Sequence, residues 1–413
     1  MSSRVVITGI GALTCVGHGK KGLWEGILRE QSGISFIKRF DTATFDAKCA
    51  GVIDDFDAGL YFPPHKLKRL DRYAQFALVL THQALEDAGL KLSPENPRTD
   101  VGVSFGTALG GITTAELTHE RFLREGNRAI PAALALQVFG GSAHSNMSIA
   151  YGARGYSTTN SNSCASGTVA IGEAFRIIRE GRANVMIAGG AEAPLAPLTF
   201  GAFDTIKSMA KEQKDPRQAC KPFDATRTGF VMAEGGGSMI LESLEHAQAR
   251  DAHIYAEVLG YTLNNDAYHM SSSLPEGESA IESMRSALEE AKVKPEQIDY
   301  INAHASSTPM NDGTEAKAVV KFFGKNTPAI SGTKPYYGHA LGASGAIEAA
   351  ICALAMENNH IPPTLNCHEP CEECTPGFDL VRLKGRSQPL KYVLSNSFGF
   401  GGINSSLVLG KVS

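Results

Sequence analysis

The chain has 413 residues, enough for one large α/β body or two fused domains. It contains 43 glycines, 43% hydrophobic and 20% charged residues, which suits a compact core with many turns and excludes collagen, coiled coils and extended disorder. A net charge of −4 argues against a broadly basic nucleic-acid-binding protein. No apolar run reaches the roughly 20 residues of a membrane-spanning helix, and no secretory signal opens the chain, so we expect a cytoplasmic protein without a membrane partner.

Short β-rich runs alternate with helical runs along the chain. The predicted strands are Val5–Thr8, Val101–Phe105, Val185–Ala188, Tyr255–Leu259, Tyr300–Asn302, Ala329–Ser331 and Val393–Ser395. The predicted helices are Tyr73–Ala88, Ala165–Arg179, Ala280–Ala291 and Gly345–Met356. This alternation predicts an α/β sheet covered by helices on both sides. Each half has a strand that ends in a Gly- or Ser-rich loop with a reactive side chain, which suggests an internal duplication.

Cys164 is the candidate nucleophile. It lies in residues 161–167, Ser-Asn-Ser-Cys-Ala-Ser-Gly, directly before a helical pattern. Small neighbours would let a thioester approach, and the first turn of a helix favours a thiolate, so we expect a lowered thiol pKa. The alternative is an inert buried cysteine. The chain has eight cysteines and no secretory signal, which argues against a disulfide framework.

Three further segments favour catalysis. His304 follows a predicted strand and opens a loop rich in hydroxyl groups, and Lys334 precedes His339 by five residues. Residues 396–404, Asn-Ser-Phe-Gly-Phe-Gly-Gly-Ile-Asn, form a Gly-rich turn in which Phe400 can offer its backbone N–H to an oxyanion. A single histidine is usually structural, but two at strand ends with a nearby lysine indicate a reaction centre.

Together, these four motifs resemble the β-ketoacyl-[acyl carrier protein] synthases, in particular the KAS II type and the discrete ketosynthases of type II polyketide systems. The resemblance covers nearly the whole chain. It implies a thiolase-like α/β fold of five αβαβα layers built from two similar halves. Residues 1–254 would carry the nucleophile, residues 255–413 the histidines and lysine, and the enzyme would usually be a homodimer.

The resemblance also implies a Cys-His-His acyltransferase. Cys164 would take an acyl group from acyl carrier protein, and the N–H groups of Cys164 and Phe400 would hold the oxyanion. His304 and His339 would stabilise the enolate that malonyl-carrier protein forms on losing CO₂, with Lys334 orienting His304. Attack on the acyl-enzyme gives a β-ketoacyl chain two carbons longer. No cofactor or metal is implied, because the substrates arrive on the phosphopantetheine of the carrier.

Several other positions match the family's substrate contacts. They are Ser306 and Thr308 for the pantetheine, Leu109 with Phe400 for a gate, Glu348 for the lysine network, and Ala132 and Ala133 for the far end of the acyl pocket. Because carrier proteins are acidic, a basic docking surface is expected. Its candidates are Lys66, Lys68, Arg69, Arg72, Arg128 and Lys207, for which a solvated helix face is the alternative.

Two departures from the family predict an altered acyl pocket, for an unusual or polyketide-type chain. Tyr336 and Tyr337 replace smaller residues before the Gly-His pair. Ala132 and Ala133 stand where bulky side chains are usual near the far end of the acyl pocket. Separately, among the pantetheine contacts, Ser306 stands where threonine is usual.

Two other motifs are weaker. Gly9-x-Gly11 follows a strand, but the third position of a dinucleotide loop is Thr14 and no acidic partner follows, which argues against nucleotide binding. Cys367, Cys371 and Cys374 lie close to His368, a density that can bind zinc, yet the spacing lacks a second CxxC pair. We expect a surface loop with exposed thiols there.

Two alternative functions share this fold. One is a ketosynthase-like chain that acts only in a heterodimer, in which one subunit sets chain length. The non-catalytic subunit of such a pair lacks the nucleophile. The other is a thiolase that uses coenzyme A esters. The presence of Cys164, His304, Lys334 and His339 argues against a non-catalytic chain, and the two histidines with the basic surface favour condensation on a carrier.

Overall fold

A computed structural model describes residues 3–211, 214–324 and 326–412. The strands are β1 Val5–Thr14, β2 Gly17–His18, β3 Ser35–Phe36, β4 Cys49–Ala50, β5 Val101–Gly106, β6 Ser157–Asn160, β7 Val185–Glu192, β8 Gly235–Ser243, β9 Ala256–Asn265, β10 Tyr300–Asn302, β11 Ala329–Ser331, β12 His360–Ile361, β13 Arg386–Ser387, β14 Tyr392–Gly399 and β15 Ile403–Gly410.

The α-helices are α1 Gly19–Leu28, α2 Pro64–Leu67, α3 Arg72–Asp87, α4 Ile112–Glu125, α5 Leu134–Val138, α6 Ser142–Tyr151, α7 Ser166–Arg179, α8 Pro197–Thr205, α9 Leu244–Ala249, α10 Glu278–Ala291, α11 Pro309–Phe323, α12 Lys334–Tyr337 and α13 Ser344–Asn358. Short 3₁₀ turns are Ala58–Leu60, Gly126–Ala129, Ser163–Ala165, Pro216–Gln218, Pro295–Gln297 and Leu341–Ala343. The predicted strands and helices are all confirmed, several of the strands being longer than predicted. The sequence does not predict β6, β8, β15 or the two-residue strands. The Ser-Thr-Thr-Asn of β6, the Gly-Gly-Gly start of β8 and the Ile-Asn-Ser-Ser start of β15 are poor in the apolar residues that mark a strand.

The central sheet repeats one topology twice. Its order is β11-β10-β14-β15-β9-β1-β8-β7-β5-β6. The strands of the two halves, numbered 1 to 5 in chain order, are β1, β5, β6, β7, β8 and β9, β10, β11, β14, β15. Counted from the outer edge of the sheet inward, both halves have the order 3-2-4-5-1, and each pair of neighbours is parallel or antiparallel in both halves alike. Strands β1 and β9 join the halves through three antiparallel residue pairs. This repetition fits the duplication suggested by the sequence.

Helices cover both faces of the sheet and also lie between its halves. Helices α3 and α6 pack on the outer face of the first half, and α10 packs on the second half with α11 beside it. Helices α7 and α13 each contact strands of both halves, so they form a middle layer. The result is the five-layer αβαβα order that was predicted.

The middle layer is the most buried part of the molecule. Residues of α13 from Ser344 to Met356 are all buried, which fits a helix that is apolar on every side apart from Glu348. In the part of the chain that the structure describes, no helix is both long enough and apolar enough to cross a membrane.

Gly9 and Gly11 have a packing role. Both lie inside β1, and a Cβ at either position would come within 2.2 Å of a backbone carbonyl of α3 (Ala84 for Gly9, Leu80 for Gly11). The glycines therefore let α3 approach the strand closely. They do not form a phosphate-binding loop, in agreement with the sequence reading.

Candidate active site

Cys164 lies at a sharp turn between β6 and the central helix α7. The residue before it, Ser163, has a φ of +47°, and the 3₁₀ turn Ser163–Ala165 leads directly into the helix. This backbone directs Cys164 into a cavity, where 8% of the residue is exposed. The thiol is therefore buried but accessible to a narrow substrate arm.

His339 is the closest side-chain partner of Cys164. Its Nε2 lies 3.1 Å from Cys164 Sγ, and its Nδ1 lies 2.8 Å from the hydroxyl of Ser344, at the start of α13. The edge of the Phe230 ring packs against the imidazole, with the ring centres 5.4 Å apart. Packing and one hydrogen bond thus fix the ring against the sulfur.

His304 enters the same cavity from the loop after β10. Its ring lies 5.3 Å from that of His339 and almost perpendicular to it, at 79°. The backbone N–H groups of His304 and Ala305 each donate to the Glu315 carboxyl at 2.8 Å. Burial raises the pKa of Glu315 to about 8, although these N–H groups oppose the shift. The loop is therefore held from α11.

Lys334 and Glu348 form an ion pair directly behind His304. The Lys334 ammonium donates to Glu348, to the carbonyl oxygen of His304 and, at 3.5 Å, to His304 Nδ1. Because an ammonium only donates, Nδ1 must accept and the proton of neutral His304 resides on Nε2. Glu348 is fully buried and does not line the cavity, so the expectation of a substrate contact is corrected: it is the counter-ion of Lys334.

Burial sets the protonation states at the site. It lowers the pKa of His304 and His339 well below the usual value, and Lys334 adds to this effect, so both are neutral at pH 7. Burial raises the pKa of Cys164 to about 11, although Lys334 and the Phe400 N–H oppose it. This direction is opposite to the expected lowering, because loss of hydration on burial outweighs both opposing effects.

The Gly-rich turn between β14 and β15 completes the site. The backbone N–H of Phe400 points at Cys164 Sγ, and a Cβ built on Gly399 would lie 3.2 Å from the backbone nitrogen of Cys164. A side chain at Gly399 would crowd that nitrogen. The turn therefore lies directly beside Cys164, and its Phe400 N–H reaches the Cys164 sulfur.

The cavity that these groups share has a volume of about 600 Å³ and opens to solvent. Its other lining residues are Phe230, Ser271, Ser272, Ser273, Ser306, Thr308, Met310, Asn311, Leu341, Phe398, Gly399 and Gly402. Ser306 and Thr308 both line the cavity, and their hydroxyls lie 2.9 Å apart.

Leu109 does not fit its predicted position in the gate. It is absent from the described residues that line the cavity, and packs instead against the aromatic cluster around Phe200, while its N–H donates to the buried Glu192. Phe400 does line the cavity and stacks on Phe203, with ring centres 6.4 Å apart. Of the two residues predicted to form the gate, Phe400 lines the cavity and Leu109 does not.

The two departures from the family lie outside the cavity. Tyr336 and Tyr337 are fully buried in the core, and the hydroxyl of Tyr337 bonds to that of Thr333. Because core packing holds both rings, an altered pocket through these tyrosines is not supported. Ala132 is exposed and Ala133 half-buried, before α5, so neither lines the pocket of its own chain.

The six docking candidates divide into two groups. Lys66, Lys68, Arg69 and Arg128 are exposed. Arg72 is instead held by the buried Glu234, with its Nε 2.9 Å from that carboxylate, and by the carbonyl of Ile53. Lys207 is exposed but paired with Asp46 at 2.9 Å. Arg72 therefore stabilises the fold and is not part of a free basic surface.

The cysteine-rich segment is more buried than predicted. Cys367 is fully buried and Cys371 is 6% exposed, so the expectation of exposed thiols is wrong for these two, while Cys374 is half-buried. Among the described residues, the three potential metal ligands that lie close together are Cys164, His304 and His339, whose ligand atoms are within 4.8 Å of one another. The cysteine-rich segment is not part of that group.

Sequence reasoning missed the residues that support the site. Ser344 and Glu315 lie five and eleven residues from the histidines they hold, but a serine at a helix start and a glutamate within a helix are common. Phe230 comes from a distant part of the chain. No local pattern marks such partners, since packing alone selects them.

A cysteine and two neutral histidines line one cavity, a buried lysine lies behind one of the histidines, and the Phe400 N–H reaches the sulfur; these groups are suited to acyl transfer through a cysteine. Comparison with known families agrees. Residues 2–247 match the model "Beta-ketoacyl synthase, N-terminal domain", and residues 255–368 match "Beta-ketoacyl synthase, C-terminal domain". The chain belongs to the β-ketoacyl synthase family, and its fold is thiolase-like.

Known relatives cover the whole chain. The 3-oxoacyl-[acyl-carrier-protein] synthase 2 of Staphylococcus aureus strain COL is 38% identical over 412 residues, 99% of each chain, and that of Coxiella burnetii is 39% identical over the same span. A solved structure described as the ishigamide ketosynthase/chain length factor superposes with a TM-score of 0.93 at 32% identity, covering 100% of both chains. A type II polyketide ketosynthase in complex with its acyl-carrier protein, AntDE:AntF, gives 0.90 at 34%.

Proposed function

We propose that this chain condenses an acyl group on Cys164 with malonyl-acyl carrier protein, releasing CO₂ and a β-ketoacyl-acyl carrier protein, in fatty acid or polyketide-type chain elongation. The observation that carries the proposal is the 3.1 Å approach of His339 Nε2 to Cys164 Sγ, with His304 5.3 Å from His339 in the same cavity. Family membership favours this chemistry over that of a coenzyme A-dependent thiolase.

The first half-reaction loads the enzyme. Because burial keeps Cys164 as a thiol, a base must take its proton when the sulfur attacks the acyl thioester, and His339 Nε2 is placed to do so. The Ser344 hydroxyl can either donate to or accept from Nδ1, so His339 can serve as acceptor here and as donor later. The proton then passes to the departing pantetheine thiol, which leaves acyl-Cys164.

The second half-reaction forms the new carbon–carbon bond. Malonyl thioester loses CO₂, and its electron pair moves onto the thioester oxygen, to which His304 and His339 donate from Nε2. The resulting carbanion attacks acyl-Cys164, and the N–H groups of Cys164 and Phe400 hold the tetrahedral oxyanion. Collapse expels the cysteine thiolate, which takes up one proton from solvent to restore the resting thiol. Neutral histidines suit this step, because each keeps an N–H donor without becoming a cation.

The same scheme needs no resident metal or redox cofactor, because every role falls to a side chain or backbone group. The hydroxyls of Ser306 and Thr308 at the cavity mouth would bind the amides of the phosphopantetheine. Exposed Lys66, Lys68 and Arg69, in and just after α2, would receive an acidic carrier protein. These features favour a cytoplasmic carrier-dependent enzyme.

A second chain is proposed to cover the face around β6, the terminal strand of the sheet. Large apolar side chains are exposed nearby, among them Leu136 at 67%, Phe139 at 44% and Ile149 at 72%. An open strand edge beside such a patch favours burial against another chain. We propose a second copy of this chain, with a ketosynthase-like subunit as the alternative that native mass would distinguish. Ala132 precedes Leu136 and would then face the partner's pocket.

The experiment for the proposed function is intact-mass analysis of the purified enzyme mixed with a panel of acyl-carrier proteins. The native protein should gain an acyl adduct that malonyl-carrier protein discharges into a longer β-ketoacyl product, and Cys164→Ala should gain none. Its matched control is Cys352→Ala, a fully buried thiol behind the site. An adduct that persists in Cys164→Ala would contradict the assignment of the nucleophile.

A further inference from the structure

Two cysteines outside the active site form a close pair. Cys371 Sγ and Cys374 Sγ lie 3.6 Å apart, and the N–H of Cys374 donates to the carbonyl of Cys371 at 3.0 Å. That bond closes a β-turn, whose end Cα atoms lie within about 7 Å of each other. This is the separation that a disulfide spans, so the two sulfurs can bond without a large backbone movement.

The turn rests on a fixed support. The N–H of Cys371 donates to the carbonyl of Phe223 at 2.7 Å, and the Asp224 carboxylate accepts from the N–H groups of His368 and Glu369 at 2.8 and 3.0 Å. Cys367 is fully buried beside the turn, while Cys374 is half-buried and provides the route to solvent. These bonds fix the chain that leads into the turn and Cys371 at its start.

The surroundings favour a thiolate in this pair. The hydrogen bond with Cys374 and the charge of Arg227 lower the pKa of Cys371, and they outweigh burial and the Glu373 carboxylate, which raise it. Arg227 is itself fixed, donating to the carbonyls of Thr308 and Pro309 at 3.3 and 2.8 Å. In contrast, burial raises the pKa of the nucleophile Cys164 to about 11 in the free enzyme. The pair is thus better prepared than the active site to react with an oxidant.

We propose that Cys371 and Cys374 are a site of reversible oxidation, at which a peroxide converts the dithiol to a disulfide. The Cys371 thiolate attacks one peroxide oxygen, the O–O bond breaks and hydroxide leaves as water, giving a sulfenic acid. The sulfur of Cys374 gives up its proton and attacks that sulfur, and the S–O bond breaks with loss of a second water. Two thiols are oxidised and one hydrogen peroxide is reduced to two waters.

The test treats reduced native enzyme with hydrogen peroxide, blocks the remaining thiols with an alkylating agent and digests after glutamate. Cleavage at Glu372 or Glu373 separates Cys371 from Cys374, so a disulfide appears as two joined peptides. We expect this crosslink to form at least about tenfold faster than Cys164 loses its reactivity, because few Cys164 thiols are ionised. Dithiothreitol should reverse it.

Three variants locate the bond. Cys371→Ser and Cys374→Ser should each abolish the crosslink, and Cys374→Ser should leave a sulfenic acid on Cys371 that dimedone traps. Cys15→Ala, a half-buried thiol elsewhere, should leave the crosslink unchanged. The proposal is overturned if peroxide consumes Cys164 first while Cys371 and Cys374 both stay open to alkylation.

Discussion

The two halves of the molecule reach their central helices by different routes. In the first half, two residues join β6 to the 3₁₀ turn that holds Cys164. In the second half, nine residues, 332–340, join β11 to the corresponding turn before α13. That longer connection carries Lys334 and His339. The repeated fold thus supplies two equivalent helix starts, and the longer connection in one half brings His339 to the cysteine of the other half.

The helix starts themselves are nearly identical. Residues 164–167 read Cys-Ala-Ser-Gly and residues 342–345 read Gly-Ala-Ser-Gly, and each stretch follows a residue with positive φ, +47° at Ser163 and +44° at Leu341. Gly342 thus stands where Cys164 does. A Cβ there would lie 2.3 Å from the backbone nitrogen of Ala108, so the second turn has no room for a side chain. The first turn therefore carries the cysteine, and the glycine in the second turn allows close packing against the backbone of Ala108.

The largest effect on stability and rate is expected at Lys334, which lies in the longer connection of the second half. Lys334→Met leaves Glu348 buried without its counter-ion, a loss of about 3–5 kcal/mol in the free energy of unfolding. It also removes the donor that holds the proton of His304 on Nε2. Urea unfolding measures the first effect and condensation kinetics the second.

A double variant separates stability from catalysis. Lys334→Met with Glu348→Leu replaces the pair by apolar residues, so stability should largely return while condensation stays about 10²-fold slower, because His304 has lost its orientation. Recovery of the rate together with stability would mean that Lys334 serves only the fold.

The next effect concerns the nucleophile in the first half. Because only the thiolate reacts, a pKa of about 11 predicts that iodoacetamide alkylates Cys164 in the free enzyme roughly 10²-fold more slowly than an ordinary thiol at pH 7.5. The rate should rise about tenfold per pH unit and level off only near pH 11. Peptide mass spectrometry over pH 7 to 9 follows it. A rate already constant from pH 7 would instead show a resting thiolate paired with a cationic His339.

The four side chains that the candidate site brings together could be predicted from the sequence, because each lies in a short local motif. Cys164, His304, Lys334 and His339 stand beside small residues at the ends of predicted elements. The supporting groups could not, because tertiary packing selects them. Arg72 reads as a docking residue beside Lys68 and Arg69, yet it pairs with Glu234, 162 residues away. Equally, no local pattern shows that Tyr336 and Tyr337 face the core.

A smaller effect would test the packing of the second helix start. Gly342→Ala forces a methyl group against the backbone of residues 107 and 108, which should lower the unfolding free energy by about 1–3 kcal/mol. Gly140→Ala is a matched control, since its Cβ would meet nothing closer than 3.9 Å. Thermal unfolding compares the two. Equal melting temperatures would show that the second turn has space for a side chain.

The smallest effect concerns Tyr337, in the longer connection of the second half. Tyr337→Phe removes only its hydrogen bond to Thr333, so the unfolding free energy should fall by about 0.5–1.5 kcal/mol. Since the ring lies in the core and lines no described part of the cavity, the chain-length profile of the products should not change. Tyr337→Thr, which leaves a cavity, should be less stable by several kcal/mol but have the same profile. A shift in product length with Tyr337→Phe would show that Tyr337 contacts the acyl pocket. The longer connection of the second half would then set chain-length specificity as well as supplying Lys334 and His339.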